Sequence, residues 1–261
     1  MINLLKSDFY KLFRMKSFYI CAAITAVLAS LGVILLNSAI IAELGIDASL
    51  LGYDGIYALI VGVNNSFVNL FIAILISMFI SSEFSYGTMK NIASRGVSRA
   101  NIYLSKIIVG VFVTVVYTLF CALVSFAIGS IMWGTGEFTK DVYFDLARML
   151  GLFLLAEVAM QCIFTMIGFF IRQTGGTVAT NLAIIIAFPA LIIPFINFAV
   201  HEWLKVENFE LAKYWPANYL SRYLSLDILR DDIITGTIVC ASFIIASLAI
   251  GIFFFYKRDI K

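Results

Sequence analysis

Few residues of this 261-residue chain could carry out chemistry, and most of them stand alone. His201 is the only histidine and lies beside Glu202, and the four cysteines are far apart without a C-x-x-C spacing. Because zinc and redox sites need several such ligands at short spacing, the sequence predicts neither a metal site nor a disulfide. The motif G-x-x-x-x-G-K-[ST] is absent, so we do not expect the chain itself to bind nucleotide phosphates.

One acidic residue, Glu157, lies inside a long apolar run. An ionised carboxylate in hydrocarbon costs roughly 3 kcal/mol or more unless it is sheltered. Gln161 lies one helical turn away and could share a hydrogen bond with it. Two interpretations stay open: Glu157 handles a substrate or ion, or it is a neutral or paired carboxyl that locks its helix to a neighbour. We favour the second.

A polar segment at 82–106 separates two other apolar runs. It predicts a short helix that is broken at Arg95-Gly96 and is followed by Ser98 as the N-cap of the next helix. Its charge alone is equally typical of an ordinary basic loop and of a surface that docks a partner. The candidate contact residues are Glu83, Gly87, Thr88, Lys90, Arg95, Ser98, Arg99 and Lys106.

Hydrophobic helices must position these residues. The chain is 62% apolar and 13% charged, whereas a soluble domain carries about 25% charged residues. Six apolar stretches can cross a hydrocarbon core of about 30 Å as helices, which pair their own backbone groups. They lie at 17–41, 57–81, 107–133, 149–171, 177–200 and 233–256. We therefore predict an all-α integral membrane protein with six transmembrane helices in a single domain over residues 1–261.

The distribution of Lys and Arg predicts the orientation of these spans. With the amino terminus inside, the inner segments hold twelve Lys and Arg and three acidic residues, and the outer segments hold six and twelve. Positive charge is enriched on the cytoplasmic side of membrane proteins. We therefore expect a multi-pass protein of the cell membrane with both termini in the cytoplasm.

The first residues predict an amphipathic helix in the inner membrane interface. Over 1–16, Phe9 and Phe13 fall on an apolar face, and Lys11 and Arg14 fall on a polar one. Such a helix can be a plain membrane anchor or can also support a cytoplasmic partner, and the sequence leaves both open.

The outer part of the chain shows two further features. The segment 201–232 is rich in Trp and Tyr, as in the aromatic belts of membrane proteins, and predicts short extracellular helices, one of them from Ala217 to Leu229. Pro189 and Pro194 lie in the fifth span and remove helical hydrogen bonds, so they predict a kink or unwinding of its outer half. That distortion is either a static bend or a gate hinge.

The polar segment contains the pattern Glu83-x-x-x-Gly87-Thr88-x-Lys90, then Ser94-Arg95-x-Val97-Ser98-Arg99, then Lys106. This pattern closely resembles the corresponding segment of type-2 ABC exporter permeases. The resemblance is to permeases of the kind that serves peptide or antibiotic export and immunity. The family layout of six spans, an N-terminal interfacial helix and short outer helices is also similar. Gly96 stands where the family often has proline, which leaves the turn less rigid.

This resemblance implies that 82–106 is a coupling segment held in a groove of a separate ATP-binding subunit. The interfacial helix at 1–16 would be a second contact. ATP and Mg²⁺ would then bind to that partner, with no cofactor and no enzymatic activity in this chain. The resemblance also implies two six-span halves, so the second permease would be another copy or a similar chain.

The resemblance places the transport pathway at spans 1, 2 and 5. Span 2 carries polar residues that are better tolerated at a cavity or a helix contact than in lipid, namely Asn64, Asn65, Ser66 and Asn69. The predicted pathway is otherwise apolar and aromatic, which favours an amphipathic peptide, of the antimicrobial or toxin kind, as the substrate. Export of a lipid, drug or ion is the alternative.

Other functional classes fit less well. A secondary transporter commonly shows inverted repeats and several intramembrane charges, and neither is evident. An intramembrane enzyme would need a motif such as H-E-x-x-H or paired aspartates, and neither is present. Lys and Arg form no basic stripe, so nucleic-acid binding is not expected.

Overall fold

The computed structural model describes residues 1–44, 53–64, 66–136, 139–205, 210–224 and 230–257, and these form helices and connecting turns without a strand. Asn65, predicted to line the pathway, lies outside the described residues. The α-helices are α1 Ile2–Arg14, α2 Lys16–Leu44, α3 Gly55–Val63, α4 Ser66–Ser85, α5 Thr88–Ser94, α6 Arg99–Trp133, α7 Lys140–Ile171, α8 Thr174–Ala187, α9 Ile193–Leu204, α10 Asn218–Arg222 and α11 Arg230–Lys257.

Six helical segments of the described chain are long and apolar enough to cross a membrane: α2, α4, α6, α7, α8 with α9, and α11. The predicted all-α membrane fold is therefore confirmed. Helix α6 has 35 residues and a length of about 50 Å, which exceeds a hydrocarbon core of about 30 Å. Its first turns can therefore carry the charged residues Arg99 and Lys106 outside the apolar layer.

The second predicted span is broken. Helix α3 begins after Asp54, whose side chain accepts a hydrogen bond from the Tyr57 backbone N–H at 2.8 Å, and it ends at Val63, with Asn64 as its C-cap. Helix α3 packs closely on the second half of α6, where a Cβ added to Gly129 would lie 2.1 Å from the Cβ of Ala58. Small residues allow such an approach of two helix backbones. The transmembrane helix itself is α4, so the span at 57–81 is two helices rather than one.

The fifth span is distorted at Pro189, whereas Pro194 lies within the α-helix α9. Helices α8 and α9 are joined by a π-helical segment, Phe188–Ile192. Pro189 has no backbone N–H to donate, and a wider turn absorbs the missing hydrogen bond without unwinding the chain. The distortion is thus a widened helix rather than the loss of helical structure.

The segment before α11 packs into the fold. A 3₁₀-helix at Leu211–Tyr214 precedes α10, and the Leu211 backbone N–H donates to the Asn197 side chain at 2.9 Å. Trp215, Tyr219 and Tyr223 are buried, so these three aromatic residues belong to the core instead of an aromatic belt. Within the predicted helix from Ala217 to Leu229, the described part is helical over α10, and 225–229 lies outside the described residues.

The centre of the bundle is formed by α4, α6 and α7, which bury many of their side chains. Helices α2, α8 with α9, and α11 surround them and expose most of their apolar surface. Asp8 of α1 contacts Lys106 near the start of α6, and Tyr256 of α11 contacts Arg99 at the start of α6. Helix α1 and the last turn of α11 therefore lie at the same end of the bundle. We call this the amino-terminal end.

Candidate functional site

Two lysines and two carboxylates from three helices meet at the amino-terminal end of the bundle. The Lys106 Nζ atom of α6 lies 2.7 Å from Asp8 Oδ1 of α1 and 2.7 Å from Glu83 Oε1 of α4. Lys11 Nζ of α1 lies 3.0 Å from the same Glu83 oxygen. The Ser105 hydroxyl donates a hydrogen bond to Asp8 Oδ2. These contacts fasten α1 to the transmembrane helices, and we call Asp8, Lys11, Glu83 and Lys106 the ion cluster.

Most of the ion cluster is inaccessible to a partner. The side chains of Asp8 and Lys106 are fully buried, and Glu83 is 5% exposed. Lys106 Nζ also lies 4.7 Å from the centre of the Phe79 ring. Glu83 and Lys106 therefore lie inside the fold, where they position α1 against α4 and α6, and not on an accessible surface as the sequence suggested.

Helix α5 forms the exposed part of the predicted segment. Gly87 has a φ of 66° and is the N-cap that precedes the helix, and the Thr88 hydroxyl donates to the Glu83 carbonyl at 3.1 Å. Lys90 and Arg95 are exposed, whereas Met89 is buried against the core. The predicted break at Arg95-Gly96 is confirmed, because α5 ends at Ser94.

The start of α6 has the predicted cap and an unexpected contact. The Ser98 side chain accepts a hydrogen bond from the Asn101 backbone N–H at 3.3 Å, as expected of an N-cap. Arg99 donates to the carbonyls of Phe255 at 3.1 Å and Tyr256 at 2.7 Å. The last carbonyls of a helix lack intrahelical donors, so Arg99 stabilises the end of α11.

A cleft of about 290 Å³ separates α1 from the turn that joins α4 to α5. We call it the terminal cleft; its walls include Tyr10, Lys11 and Arg14 on one side and Ser82, Tyr86 and Thr88 on the other. The cleft brings together side chains of the two regions that the sequence singled out. Phe9 and Phe13 instead pack at ring distances of 5.0 and 6.0 Å from Phe112 of α6.

The predicted pathway residues separate into two groups in the structure. Asn64, Asn69, Glu157 and Pro189 line one cavity of about 350 Å³ towards the opposite end of the bundle, together with residues of 212–221. We call it the polar cavity. Gln161 lies elsewhere and donates to Thr165 at 2.8 Å. The expected hydrogen bond between Gln161 and Glu157 is therefore not formed.

Pro194 also lies away from the polar cavity, on an exposed face of α9. Glu157 Oε2 is buried without a hydrogen-bond partner among the described residues. The described residues thus do not pair this carboxyl with a neighbour of α7, and the neutral form of the role that the sequence favoured for Glu157 stays a prediction.

Sequence reasoning missed several residues of these sites, among them Asp8, Trp215 and Asn218. Asp8 follows Leu5 and precedes Leu12 at helical spacing, so it lies on the apolar face of α1. A charge on that face signals a buried partner, and this spacing could have identified it. Trp215 belongs to the segment that the sequence assigned to an aromatic belt, and Asn218 begins the short helix α10, so neither carried a signal for a cavity.

Comparison with known proteins identifies the family of this chain. The family model described as ABC-2 family transporter protein matches residues 4–212, which is well over half of the chain and covers the ion cluster, α5 and most of the polar cavity. Comparison with curated proteins gives no match. The chain therefore belongs to the ABC-2 transporter family, whose members are membrane permease subunits of ATP-binding-cassette transporters.

Proposed function

We propose that α1 and α5 together form the surface through which this permease couples to its ATP-binding-cassette subunit. The observation that carries the proposal is the ion cluster, because it fixes α1 to the same helices from which α5 extends. A partner that moves α5 would then move α1, α4 and α6 with it. ATP and Mg²⁺ bind in the partner, and the permease contributes the coupling surface and the transport pathway.

The contacts around α5 suggest how movement is transmitted. At its start, the Thr88 hydroxyl holds the Glu83 backbone, and the Glu83 carboxylate binds Lys106. After its end, Arg99 holds the last carbonyls of α11. A displacement of α5 therefore reaches α4, α6 and α11 through polar contacts that are shorter and more directional than apolar packing.

We also propose that the amino-terminal end faces the cytoplasm of the cell, where the ATP-binding subunit is found. The excess of Lys and Arg in the segments on this side supports that orientation. The opposite end, with its short helices before α11, would then be extracellular.

A second permease subunit is part of the proposal. The faces of α2 and of α8 with α9 are apolar and largely exposed within one chain, which suits a contact with another copy or a similar permease. Helix α4 is mostly buried in its own subunit and can add only a few residues to the contact between the two permeases. The π-helical segment between α8 and α9 gives this face a site for bending.

We propose an amphipathic peptide, of the antimicrobial or toxin kind, as the exported substrate. Exposed aromatic side chains support this proposal, among them Phe67 at the start of α4 and Phe195 on α9, which are 47% and 66% exposed. Such surfaces bind apolar groups better than sugars or hydrated metal ions. A panel of amphipathic peptides should raise ATP hydrolysis by the reconstituted complex, and no response across the panel would refute this substrate class.

Charge reversal on α5 tests the coupling surface. The double substitution Lys90→Glu with Arg95→Glu changes two exposed residues and leaves the ion cluster intact. After co-expression with the ATPase, we expect the complex to be lost on purification. Lys140→Glu, an exposed residue at the start of α7, is the matched control and should retain the complex. A double variant that still binds the ATPase and transports normally would show that α5 is not the contact.

A further inference from the structure

The polar cavity is built from polar groups that have no protein partner. Glu157 Oε2, Asn69 Oδ1, Trp215 Nε1 and Asn218 Nδ2 are all buried, and none makes a hydrogen bond within the described residues. All four side chains line this one cavity. An unsatisfied buried polar group costs about 1–3 kcal/mol, and most proteins have few of them. Four such groups around one space therefore indicate a site whose hydrogen bonds are completed by a ligand.

The chemistry of these groups defines the ligand. Glu157 and Asn69 offer acceptors, whereas Trp215 and Asn218 offer donors. The lining residues include one carboxylate and no Lys, Arg or His. A buried carboxylate without a basic neighbour favours a ligand that brings its own positive charge.

An organic cation fits the cavity better than a metal ion. The described residues contain no cluster of three or more His, Cys, Asp or Glu that could hold a metal. The walls are largely apolar and include Phe153, Ile185, Ile193 and Leu220. A cavity of about 150 Å³ holds benzene, so one of about 350 Å³ has room for an ammonium group together with an apolar body.

We propose that the polar cavity binds the ammonium group of an amphipathic cation, with Glu157 as its counter-ion. The ammonium donates to Glu157 and to the Asn69 side-chain oxygen, and the indole of Trp215 and the ring of Phe153 provide cation–π contacts. The Trp215 and Asn218 donors bind an acceptor elsewhere on the ligand. The exposed residues Asn64 and Ser221 form the rim through which it enters.

This inference rests on the proposed function only in treating the bound cation as transported cargo. Its position also supports a transport role, because the cavity adjoins Pro189 and Ile193 at the two ends of the π-helical segment. Binding at this position can therefore respond to bending between α8 and α9.

A matched pair of small probes tests the proposal on the purified full-length chain. 4-Phenylbutylamine and 4-phenylbutanol have the same body and similar size, but only the amine is charged at neutral pH. We expect the amine to bind at least about tenfold more tightly than the alcohol, as measured by calorimetry. Glu157→Gln should remove that preference and leave alcohol binding within about twofold. Asp145→Asn, which alters a carboxylate with a 41% exposed side chain on the same helix, should change neither affinity.

Three results would overturn the proposal: equal binding of the two probes to the unaltered chain, no binding of either, or an unchanged preference in Glu157→Gln. Should that variant not fold, Asn69→Leu provides the second test and must lower amine affinity while sparing the alcohol. Binding of the ATPase through α5 is measured separately. A permease that binds the ATPase but shows no amine preference would refute the cation site and leave the coupling surface intact.

Discussion

Glu83 and Glu157 are both buried glutamates, but the two ends of the bundle treat them differently. Glu83 is 5% exposed and Glu157 is 2% exposed. One oxygen of Glu83 binds two lysines, whereas Glu157 has no basic residue among the lining residues of its cavity. Burial alone therefore does not assign a role to a carboxylate. A carboxylate that is paired within the chain builds the fold, and a carboxyl left without a protein partner can bind a ligand, as proposed for Glu157.

The largest effect should come from removing the shared lysine. Lys106→Met leaves Asp8 and Glu83 buried without their common counter-ion, and breaking a buried pair costs about 3–5 kcal/mol. We expect a large loss of thermal stability in detergent, with α1 released from the bundle. Lys140→Met, at an exposed site, should be within about 0.5 kcal/mol of the unaltered chain. If Lys106→Met were equally stable, the ion cluster would not hold the helices together.

An identical substitution at both glutamates tests the comparison directly. Glu83→Gln weakens contacts to Lys11 and Lys106 and should cost about 2 kcal/mol. Glu157→Gln replaces a carboxyl that no residue of its cavity pairs and should cost less than about 1 kcal/mol or even stabilise the chain. The measurement is thermal unfolding of both variants in one detergent. The reverse order of stabilities would contradict the distinction drawn between the two ends.

Arg99 is a second charged residue at the amino-terminal end whose contacts lie within the chain, where it binds the end of α11. Arg99→Gln should lower the free energy of unfolding by about 1–2 kcal/mol, since hydrogen bonds from a charged donor to the Phe255 and Tyr256 carbonyls are lost. Hydrogen exchange should increase at the last turn of α11. Arg95→Gln changes a nearby exposed residue and serves as the control, with little expected effect. Unchanged exchange in Arg99→Gln would show that these bonds do not hold the helix end.

The smallest effect is expected at the turn before α5. Gly87 has a φ of 66° and no atom within 4 Å of an added Cβ, so Gly87→Ala introduces backbone strain without a steric clash. The expected cost is about 1 kcal/mol, together with weaker binding of the ATPase because α5 is displaced. Gly175→Ala in the first turn of α8 also has open space but no positive φ, and it should be neutral or slightly stabilising. Equal effects at the two glycines would argue against a conformational requirement at Gly87.

Much of the fold could be predicted because hydropathy and capping are local properties. The six spans, the N-terminal helix, the Ser98 cap and the distortion near Pro189 follow from short stretches of sequence. The break at Asn64 could not be predicted in this way, because α3 and α4 are similarly apolar. The close approach of α3 to α6 at Ala58 and Gly129 likewise involves residues far apart in the chain, which hydropathy does not report.

By itself, the sequence determined that the chain is a helical membrane protein with six spans, and it predicted that most Lys and Arg and the segment 82–106 lie on one side of the membrane. Tertiary structure alone decided which residues surround each buried charged or ionisable side chain. Lys106 binds Asp8, which lies 98 residues away in the chain, and Glu157 lines a cavity with Asn69, Trp215 and Asn218. The physical reason is that hydrophobicity depends on a residue and its neighbours in sequence, whereas the partner of a buried charge depends on how distant helices pack.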